Sequence, residues 1–351
     1  MRDFRAGVIV ILAISIFAKC GFAQAPVTKF GEVVPRDVRE IYDRGLQYLV
    51  TTQNEAGDFK NGGEQGPGVT GMCLMVLLAS GEDPNFGLYS NNIRRALRNI
   101  ISGQDGGTGF YGGQGQSSMY NHGFAMLALA EAYGAVDDRN LWTGEEKNRR
   151  SIGQSLELAV RAAITSQKKN SFGGWRYSPD GNDADTSVSG AVLVGLLAAR
   201  NAGIEVPDEV VDKSISYFTK MTSPSGQVGY SGGFGGFDES FARISIATLV
   251  YSVSRRKDLT QYKATLGYLT ARLENVSQQS WPEYTRYYQA QALFQGDVVA
   301  WEKWNKLLVR QLKKEQAADG SIPGQMGATI GTSMSCLALA LNYRFLPIYE
   351  R

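Results

Sequence analysis

Carboxylates that stand close to aromatic residues are the side chains of this sequence best suited to chemistry. They are Asp183 and Asp185 after Trp175 and Tyr177, the adjacent pair Asp238 and Glu239, and Glu283 between Trp281 and Tyr284. Two carboxylates beside aromatic rings suit a carbohydrate site, where one group acts as acid and the other as base or nucleophile. The same carboxylates could instead complement the dipoles of helix N-termini, a role that requires no ligand.

The segment Asp180–Asp185 suggests a second kind of site. It reads Asp-Gly-Asn-Asp-Ala-Asp, and oxygen ligands of this type bind Ca²⁺. Its spacing lacks the Gly and the bidentate Glu of an EF-hand loop. The sequence therefore predicts no metal site and no cofactor, with Ca²⁺ near Asp180–Asp185 as the alternative.

A unit that recurs six times must position these side chains. Each unit spans roughly 50 residues and contains an amphipathic helix, a turn rich in Gly, Gln and aromatic residues, and a helix of small and apolar residues. The turns lie at Gln53–Phe59, Gln104–Phe110, Gln167–Trp175, Gly226–Phe237, Gln278–Trp281 and Gln316–Ser321. One helical hairpin cannot bury its apolar face alone, so the hairpins must stack. Six of them can close into a ring, and we predict an all-α fold, an (α/α)6 toroid.

The two helices of each unit differ in their apolar pattern. First helices such as Val38–Leu49 and Ile93–Ile101 carry apolar residues at three- and four-residue spacing, which predicts a half-exposed outer layer. Second helices such as Thr70–Ala79 and Ser189–Ala198 are apolar on nearly all sides, so they must be buried in an inner ring. The turns between them have a structural role, because Gly permits a tight reversal and the Gln amide can satisfy backbone groups at helix ends.

One position near the start of the second helix links the units to further candidate residues. It is occupied by Thr70, His122, Ser189 and Ser333. His122 is the single histidine, and we expect it either to line the mouth of the ring or to make one structural hydrogen bond. Cys73 and Cys336 each lie three residues further on, in the first and last units, which ring closure would bring together. They are predicted to form a disulfide or to be two small buried residues.

The Gln-x-x-x-Gly and Gly-Gly-Trp turns, followed by apolar second helices, resemble the prenyltransferase/squalene-oxidase repeat. The segment Phe172–Ser187 is the most similar, and the run from Tyr287 to Trp304 resembles secreted bacterial members. This resemblance covers most of the chain. It implies the α/α toroid of terpenoid cyclases and protein prenyltransferases, and an isoprenoid or other apolar ligand.

The resemblance also implies an acid. Squalene cyclases protonate an alkene with an Asp of an Asp-x-Asp-Asp-Thr motif, and the similar segment here is Asp183-Ala184-Asp185-Thr186. Asp185 falls on the acid in one alignment and Ala184 in the other. An acid that protonates an alkene must stay protonated in an apolar cavity, and Asp183 could be its partner. Alternatively, Asp185 or Thr186 caps the inner helix.

Two features of the resembling families are missing. Squalene cyclases have two helical barrels, whereas this chain has residues for one. Protein prenyltransferases hold zinc with Asp, Cys and His, and no Asp-x-Cys accompanies His122. Zinc catalysis of that type is therefore not expected.

Three functions remain open from the sequence. The first is a toroid that binds an isoprenoid or other apolar ligand, with cyclase-like acid chemistry at Asp185. The second is a glycan-binding or glycan-active toroid that uses the carboxylates and aromatics at the mouth. The third is a scaffold that binds a protein partner, its centre filled by side chains.

The first residues predict export. Arg2 and Arg5 precede an apolar run that is too short to span a bilayer, and small residues favour cleavage near Ala23. We assign 1–23 to a signal peptide, 24–35 to an extension, 36–345 to the toroid and 346–351 to a tail. A retained N-terminal anchor is the alternative. The chain without 1–23 has 33 basic and 33 acidic residues, so we expect neither nucleic-acid binding nor a membrane span in the exported protein.

Overall fold

A computed structural model describes residues 34–59, 66–112, 118–142, 150–231, 239–274, 280–343 and 346–347. The predicted signal peptide lies outside these residues. Six helices of the described part form an outer layer: α1 (Arg36–Thr52), α3 (Ser90–Ser102), α5 (Ile152–Gln167), α7 (Asp208–Met221), α9 (Thr260–Thr270) and α11 (Val298–Glu315). Six more form an inner layer: α2 (Pro67–Leu78), α4 (Ser118–Ala132), α6 (Thr186–Asn201), α8 (Phe241–Val253), α10 (Pro282–Gly296) and α12 (Ala328–Ala340).

The inner helices form a closed ring. Each packs against the next in the order α2, α4, α6, α8, α10 and α12, and α12 packs in turn against α1 and α2. Burial follows the sequence pattern: α2 is buried from Gly68 to Leu77, whereas α3 buries one face that includes Ile93 and Leu97. The predicted (α/α)6 toroid is confirmed.

Glutamines that recur in the turns join neighbouring hairpins by hydrogen bonds of the same kind. The Gln104 amide nitrogen donates to Gly109 O in its own turn (2.9 Å) and to Ser155 O on the next outer helix (2.8 Å). Gln53, Gln167 and Gln316 make the equivalent pairs of bonds. These glutamines therefore stabilise the stack, and catalysis is not needed to explain them.

Five of the six turns contain a glycine with positive φ, which both conformation and space require. Gly109 has φ 76°, and a Cβ placed on it would lie 2.5 Å from Leu158 O of the next outer helix. Gly320 has φ 91°, and its Cβ would lie 2.3 Å from Arg44 O. A residue with a side chain would be strained here and would push the hairpins apart.

The seam between the first and last hairpins holds Cys73 and Cys336 as buried free thiols. The Cys336 thiol points to α1, where its Sγ lies 4.0 Å from Tyr42 O and a Cβ on Gly45 would be only 2.6 Å from it. The Cys73 thiol interacts with Ser333. Each sulfur has its own partner, which corresponds to the alternative of two small buried residues.

Within the described residues, none of the helices has the combined length and apolar character that a membrane crossing requires.

Candidate functional site

A cavity of about 390 Å³ opens at the end of the ring where the inner helices begin. All six inner helices or the residues just before them contribute to its wall. The lining residues are Gly68, Val69, Met72, Tyr120, Asn121, Phe124, Tyr177, Ser187, Tyr230, Ser240, Ala242, Arg243, Ser280, Trp281, Tyr284, Met326, Ile330 and Met334. Six of them are aromatic and three are methionines, and no carboxylate is found among these described lining residues. The wall is therefore mainly apolar, with hydroxyl, amide and one guanidinium group among the rings.

Tyrosines of α10 cross the centre of the ring. The Tyr284 ring lies edge-on to Tyr120 of α4, with centroids 6.3 Å apart, and its hydroxyl donates to Ser187 O of α6 at 3.3 Å. One turn further on, Tyr287 contacts Phe124 of α4 at 6.1 Å. These contacts fill the lumen beyond the cavity, so the cavity is a pocket and not a channel.

Asp185 lies next to this pocket but is fully buried. It is the N-cap of α6, and its Oδ1 accepts a hydrogen bond from Val188 N at 2.8 Å. This is the capping role that was the alternative from the sequence. Among the described residues, Oδ2 has no hydrogen-bond donor, and Arg176 Nε lies 3.8 Å from it.

The surroundings of Asp185 favour its protonated form. Burial raises its pKa to about 6, against the opposing effects of the Val188 N–H and of Arg176. The Asp185 charge also acts on two tyrosines of the wall: burial raises the pKa of Tyr120 and of Tyr284, and this carboxylate raises each further. The Asp185 carboxyl is thus buried behind the part of the wall that Tyr120, Ser187 and Tyr284 form. Its Oδ2 has no hydrogen-bond partner among the described residues.

Arg176 connects the two aspartates of the motif. Its guanidinium forms an ion pair with the half-exposed Asp183 and reaches Asp185 Oδ2. It also lies over the rings of Tyr177 and Tyr230, 5.3 Å and 5.7 Å from their centroids, and the two tyrosine hydroxyls are hydrogen-bonded to each other. Arg176 therefore lies between Asp183 and Asp185 and contacts both carboxylates, which do not bond to each other directly.

Two of the other predicted carboxylates, Glu239 and Glu283, do not form the wall. Glu239 is half-exposed and accepts from the Tyr268 hydroxyl at 2.5 Å, with Arg272 nearby at 3.9 Å. Glu283 is fully buried: its Oε1 accepts from Met326 N at 3.0 Å, and its Oε2 has no partner among the described residues. Asp238 lies outside the described residues.

Two residues predicted to line the ligand site belong to the scaffold instead. Trp175 is buried, and its indole N–H donates to Ala163 O at 2.9 Å. His122 is also buried, its Nδ1 accepting from Tyr111 N at 3.1 Å and its Nε2 bonded to Ala159 O at 3.0 Å. Burial lowers the pKa of His122 to about 4, so the ring is neutral. Of the predicted lining residues, Tyr177, Trp281 and Tyr284 do line the cavity.

His122 occupies an anchor position that other hairpins fill with a hydroxyl. Trp175 N donates to Ser189 Oγ at 2.9 Å, and Ile322 N donates to Thr332 Oγ1 at 2.8 Å, as Tyr111 N does to His122. The anchor of the last hairpin is thus Thr332 and not Ser333. These side chains bind the turn back to the inner helix.

The acidic loop is held by cations of the chain itself. Asp180 pairs with Lys169, and Asp183 pairs with Arg176. The described residues include no group of three His, Cys, Asp or Glu side chains arranged to hold a metal ion. Ca²⁺ binding near Asp180–Asp185 stays a prediction.

Sequence reasoning missed most of the wall, although a signal was available. Three residues near each of the anchors Thr70 and His122 line the cavity: those two positions before, one position before and two positions after the anchor in the sequence. The pairs are Gly68 and Tyr120, Val69 and Asn121, and Met72 and Phe124. Applied to Thr332, two of the same offsets give Ile330 and Met334, which also line the cavity. The anchor points back toward the turn, and its helical neighbours face the pocket.

Comparison with known proteins supports the fold. No protein-family model matches the chain, and no curated protein matches its sequence. An α-1,6-mannanase of Salegentibacter sp. HEL1_6, solved with α-1,6-mannotriose, matches 87% of this chain and 99% of its own at 13% identity and a TM-score of 0.61. The type II terpene cyclase MstE from Scytonema, solved with geranylgeranyl dihydroxybenzoate, matches 88% and 98% at 13% identity and a TM-score of 0.57. A glycosidase solved with glucose also matches, with a TM-score of 0.53 at 13% identity over 89% of this chain and 98% of its own.

These similarities are structural only. At such identities the neighbours show that the chain has an α/α toroid fold, and the same fold carries an enzyme acting on a glycan and one acting on an isoprenoid. The chemistry must be argued from the cavity.

Proposed function

We propose that this toroid binds an isoprenoid or similar apolar small molecule in the cavity at the start of the inner helices. The observation that carries the proposal is the composition of the wall, in which aromatic rings and methionines predominate and no carboxylate is found among the described residues. Apolar and aromatic walls with a few placed polar groups are typical of small-molecule pockets. The Tyr120, Tyr177, Tyr230 and Tyr284 hydroxyls would orient the polar end of such a ligand.

Asp185 is the group that we propose for cyclase-like acid chemistry. An alkene is a weak base, so a general acid must be buried and protonated to transfer a proton to it. Burial and the raised pKa of Asp185 support this role. In that reaction Oδ2 would give its proton to an alkene carbon, leaving the Asp185 carboxylate and a carbocation that closes on a further double bond and then loses a proton, while Oδ1 keeps its bond to Val188 N. Asp185 does not line the cavity, so the Tyr120, Ser187 and Tyr284 side of the wall would have to shift for the alkene to reach Oδ2. Arg176 and Asp183 would position the carboxyl.

The first test is native mass spectrometry of the exported protein purified together with its own lipids. We expect a bound apolar mass that is released on denaturation. Geranylgeraniol should then bind the emptied protein, followed by quenching of tryptophan fluorescence. An apo mass together with no binding of geranylgeraniol would contradict the proposal.

Asp185→Asn separates binding from chemistry. Asn keeps the cap to Val188 N and removes the titrating proton. We expect this variant to bind geranylgeraniol with the wild-type affinity and to lose turnover of a polyprenyl substrate. Asp180→Asn is the matched control, since it changes an exposed carboxylate of the same loop that pairs with Lys169. Turnover that survives in Asp185→Asn would exclude the acid role.

A glycan is the second candidate ligand, favoured by Trp281 at the cavity mouth. Its side chain is 52% exposed, and exposed aromatic rings stack on sugars as well as on alkyl chains. A glycosidase also needs two carboxylates about 5–10 Å apart across the bond that is cleaved. Of the predicted carboxylates in the described residues, Asp183 and Glu239 are held by arginines away from the wall. Calorimetry with α-1,6-mannotriose distinguishes the two ligands. Binding of this sugar without binding of geranylgeraniol would show that the cavity takes a glycan and not an isoprenoid.

A scaffold for a protein partner was the third function considered from the sequence. It required that side chains plug the cavity, whereas the described residues leave a cavity of about 390 Å³ at the mouth, although tyrosines of α10 fill the lumen beyond it.

We propose in addition that the protein is exported, periplasmic or extracellular, after cleavage near Ala23. N-terminal sequencing of the protein from its native host tests this, and an intact Met1 would contradict it.

A further inference from the structure

Trp281 has an unfavourable local conformation at the mouth of the cavity. Its φ of 56° and ψ of 60° lie in the left-handed region, which side chains other than Gly, Asn and Asp seldom adopt. It also precedes Pro282, which favours an extended conformation for the residue before it. Moreover, Trp281 is the N-cap of α10 and supplies no side-chain acceptor to the helix. Three local preferences are therefore violated at one residue.

Two hydrogen bonds link the start of α10 to the segment that precedes α12 and hold Trp281 in this conformation. Trp281 N donates to Gln325 Oε1 at 2.8 Å, and Met326 N donates to Glu283 Oε1 at 3.0 Å. The donors of these two bonds, Trp281 and Met326, both line the cavity. The backbone is thus fixed at the place where a ring is presented to the pocket, and strain of this kind is common at ligand clamps.

The Trp281 side chain gains little from the protein itself. About half of it (52%) is exposed, whereas Trp175, Trp301 and Trp304 are buried and Trp142 is partly buried against the core. An exposed indole that is held in a strained conformation is not explained by packing of the core. Its position at the rim means that it can contact a ligand that reaches out of the pocket.

We propose that Trp281 is a specificity-determining residue that binds the part of a long apolar ligand lying outside the cavity, and so selects for chain length. A cavity of about 390 Å³ is near the lower end of the range for small-molecule pockets, so a long chain extends to the mouth. The inference rests on the proposed function, since it concerns the same ligand.

The test compares geraniol with geranylgeraniol, two isoprenoid alcohols that share a head group and differ in chain length. Affinities are measured by calorimetry for the wild type, Trp281→Ala and Trp281→Phe. We expect the wild type to prefer geranylgeraniol. Trp281→Ala should lose roughly tenfold in affinity for geranylgeraniol and little for geraniol, because only the long chain reaches the indole. Trp281→Phe should restore part of the preference. Phe86→Ala is the matched control, since Phe86 is 89% exposed and does not line the cavity.

The outcomes separate this inference from the proposed function. If the wild type binds neither alcohol, the proposed function and the inference both fail. If the wild type binds both equally, or if Trp281→Ala keeps the full preference for the long chain, the inference is overturned while the proposed function stands. Trp281→Gly serves if Trp281→Ala folds poorly, because Gly adopts the left-handed conformation without strain; it should lose the same preference.

Discussion

The side-chain amide of Gln316 lies 2.9 Å from the carbonyl oxygen of Ile41, and this bond joins the last hairpin of the ring to the first. It has the same form as the bond from Gln104 to Ser155 within the chain. The closing contact of the toroid is therefore made by the repeat itself and needs no special device.

Replacing Gln316 should open this contact. We expect Gln316→Ala to lower the free energy of unfolding by about 2 kcal/mol, because two backbone carbonyls lose a donor. Gln104→Ala should cost a similar amount, and Gln261→Ala on α9, whose one side-chain bond is local, should cost little. Urea unfolding measures all three. A loss in Gln104→Ala without one in Gln316→Ala would mean that the ring gains nothing from its closure.

Stability should depend on pH through Asp185. Its pKa in the folded protein is raised to about 6 from an ordinary value of 3.8, so the folded state holds the proton between these values. The stabilisation is complete below pH 4 and is lost as the pH rises through 6. Asp185→Asn resembles the protonated form, and above pH 7 it should be more stable than the wild type by up to about 3 kcal/mol. Urea unfolding of both proteins from pH 4 to 8 checks this. A constant difference across that range would show that Asp185 does not titrate as inferred.

Arg176 should set the position of that transition. Its positive charge lowers the pKa of Asp185, in opposition to burial. We expect Arg176→Met to raise the pKa of Asp185 and to move the pH-dependent loss of stability to higher pH. Arg200→Met, which removes a pairing with the exposed Asp208, is the control. The midpoint of the stability–pH curve is the readout. An unchanged or lower midpoint in Arg176→Met would contradict the arrangement.

The thiols of Cys73 and Cys336 should be unreactive in the folded protein. Burial raises the pKa of both, and the thiolate is the reactive form. We expect slow reaction with a thiol reagent under native conditions and rapid reaction of both thiols in denaturant. Protein purified from its native host without reductant is the sample. If neither thiol reacts after denaturation, the two cysteines are joined by a disulfide, which would contradict this prediction.

The fold could be predicted from the sequence because the repeat constrains it several times over. The Gly turns, the Gln residues and the contrast between amphipathic and apolar helices recur, so an error in one unit is corrected by the others. Asp185 could be placed at the start of α6 for the same reason. Its hydrogen bond to Val188 N, however, depends on the side-chain rotamer, which no spacing rule supplies.

The wall of the cavity was harder to predict. Trp175 and His122 were selected by residue type, yet the turn buries the first and the anchor position buries the second. Adjacent residues on a helix point about 100° apart. An error of one or two positions therefore selects a side chain that packs in the scaffold instead of one that lines the cavity. Tyr120 could be found only through its offset from His122, and Tyr230 carries no sequence pattern that separates it from core tyrosines. The role of Tyr230 follows only from the closure of the ring.

The separation of anchors from wall residues has an evolutionary consequence. Thr70, His122 and Thr332 hold the turns, while their neighbours at fixed offsets face the pocket. A substitution at a wall position therefore alters what the pocket accepts and leaves the architecture that all six hairpins share. The ligand preference of this chain could therefore change one residue at a time while the turns stay anchored.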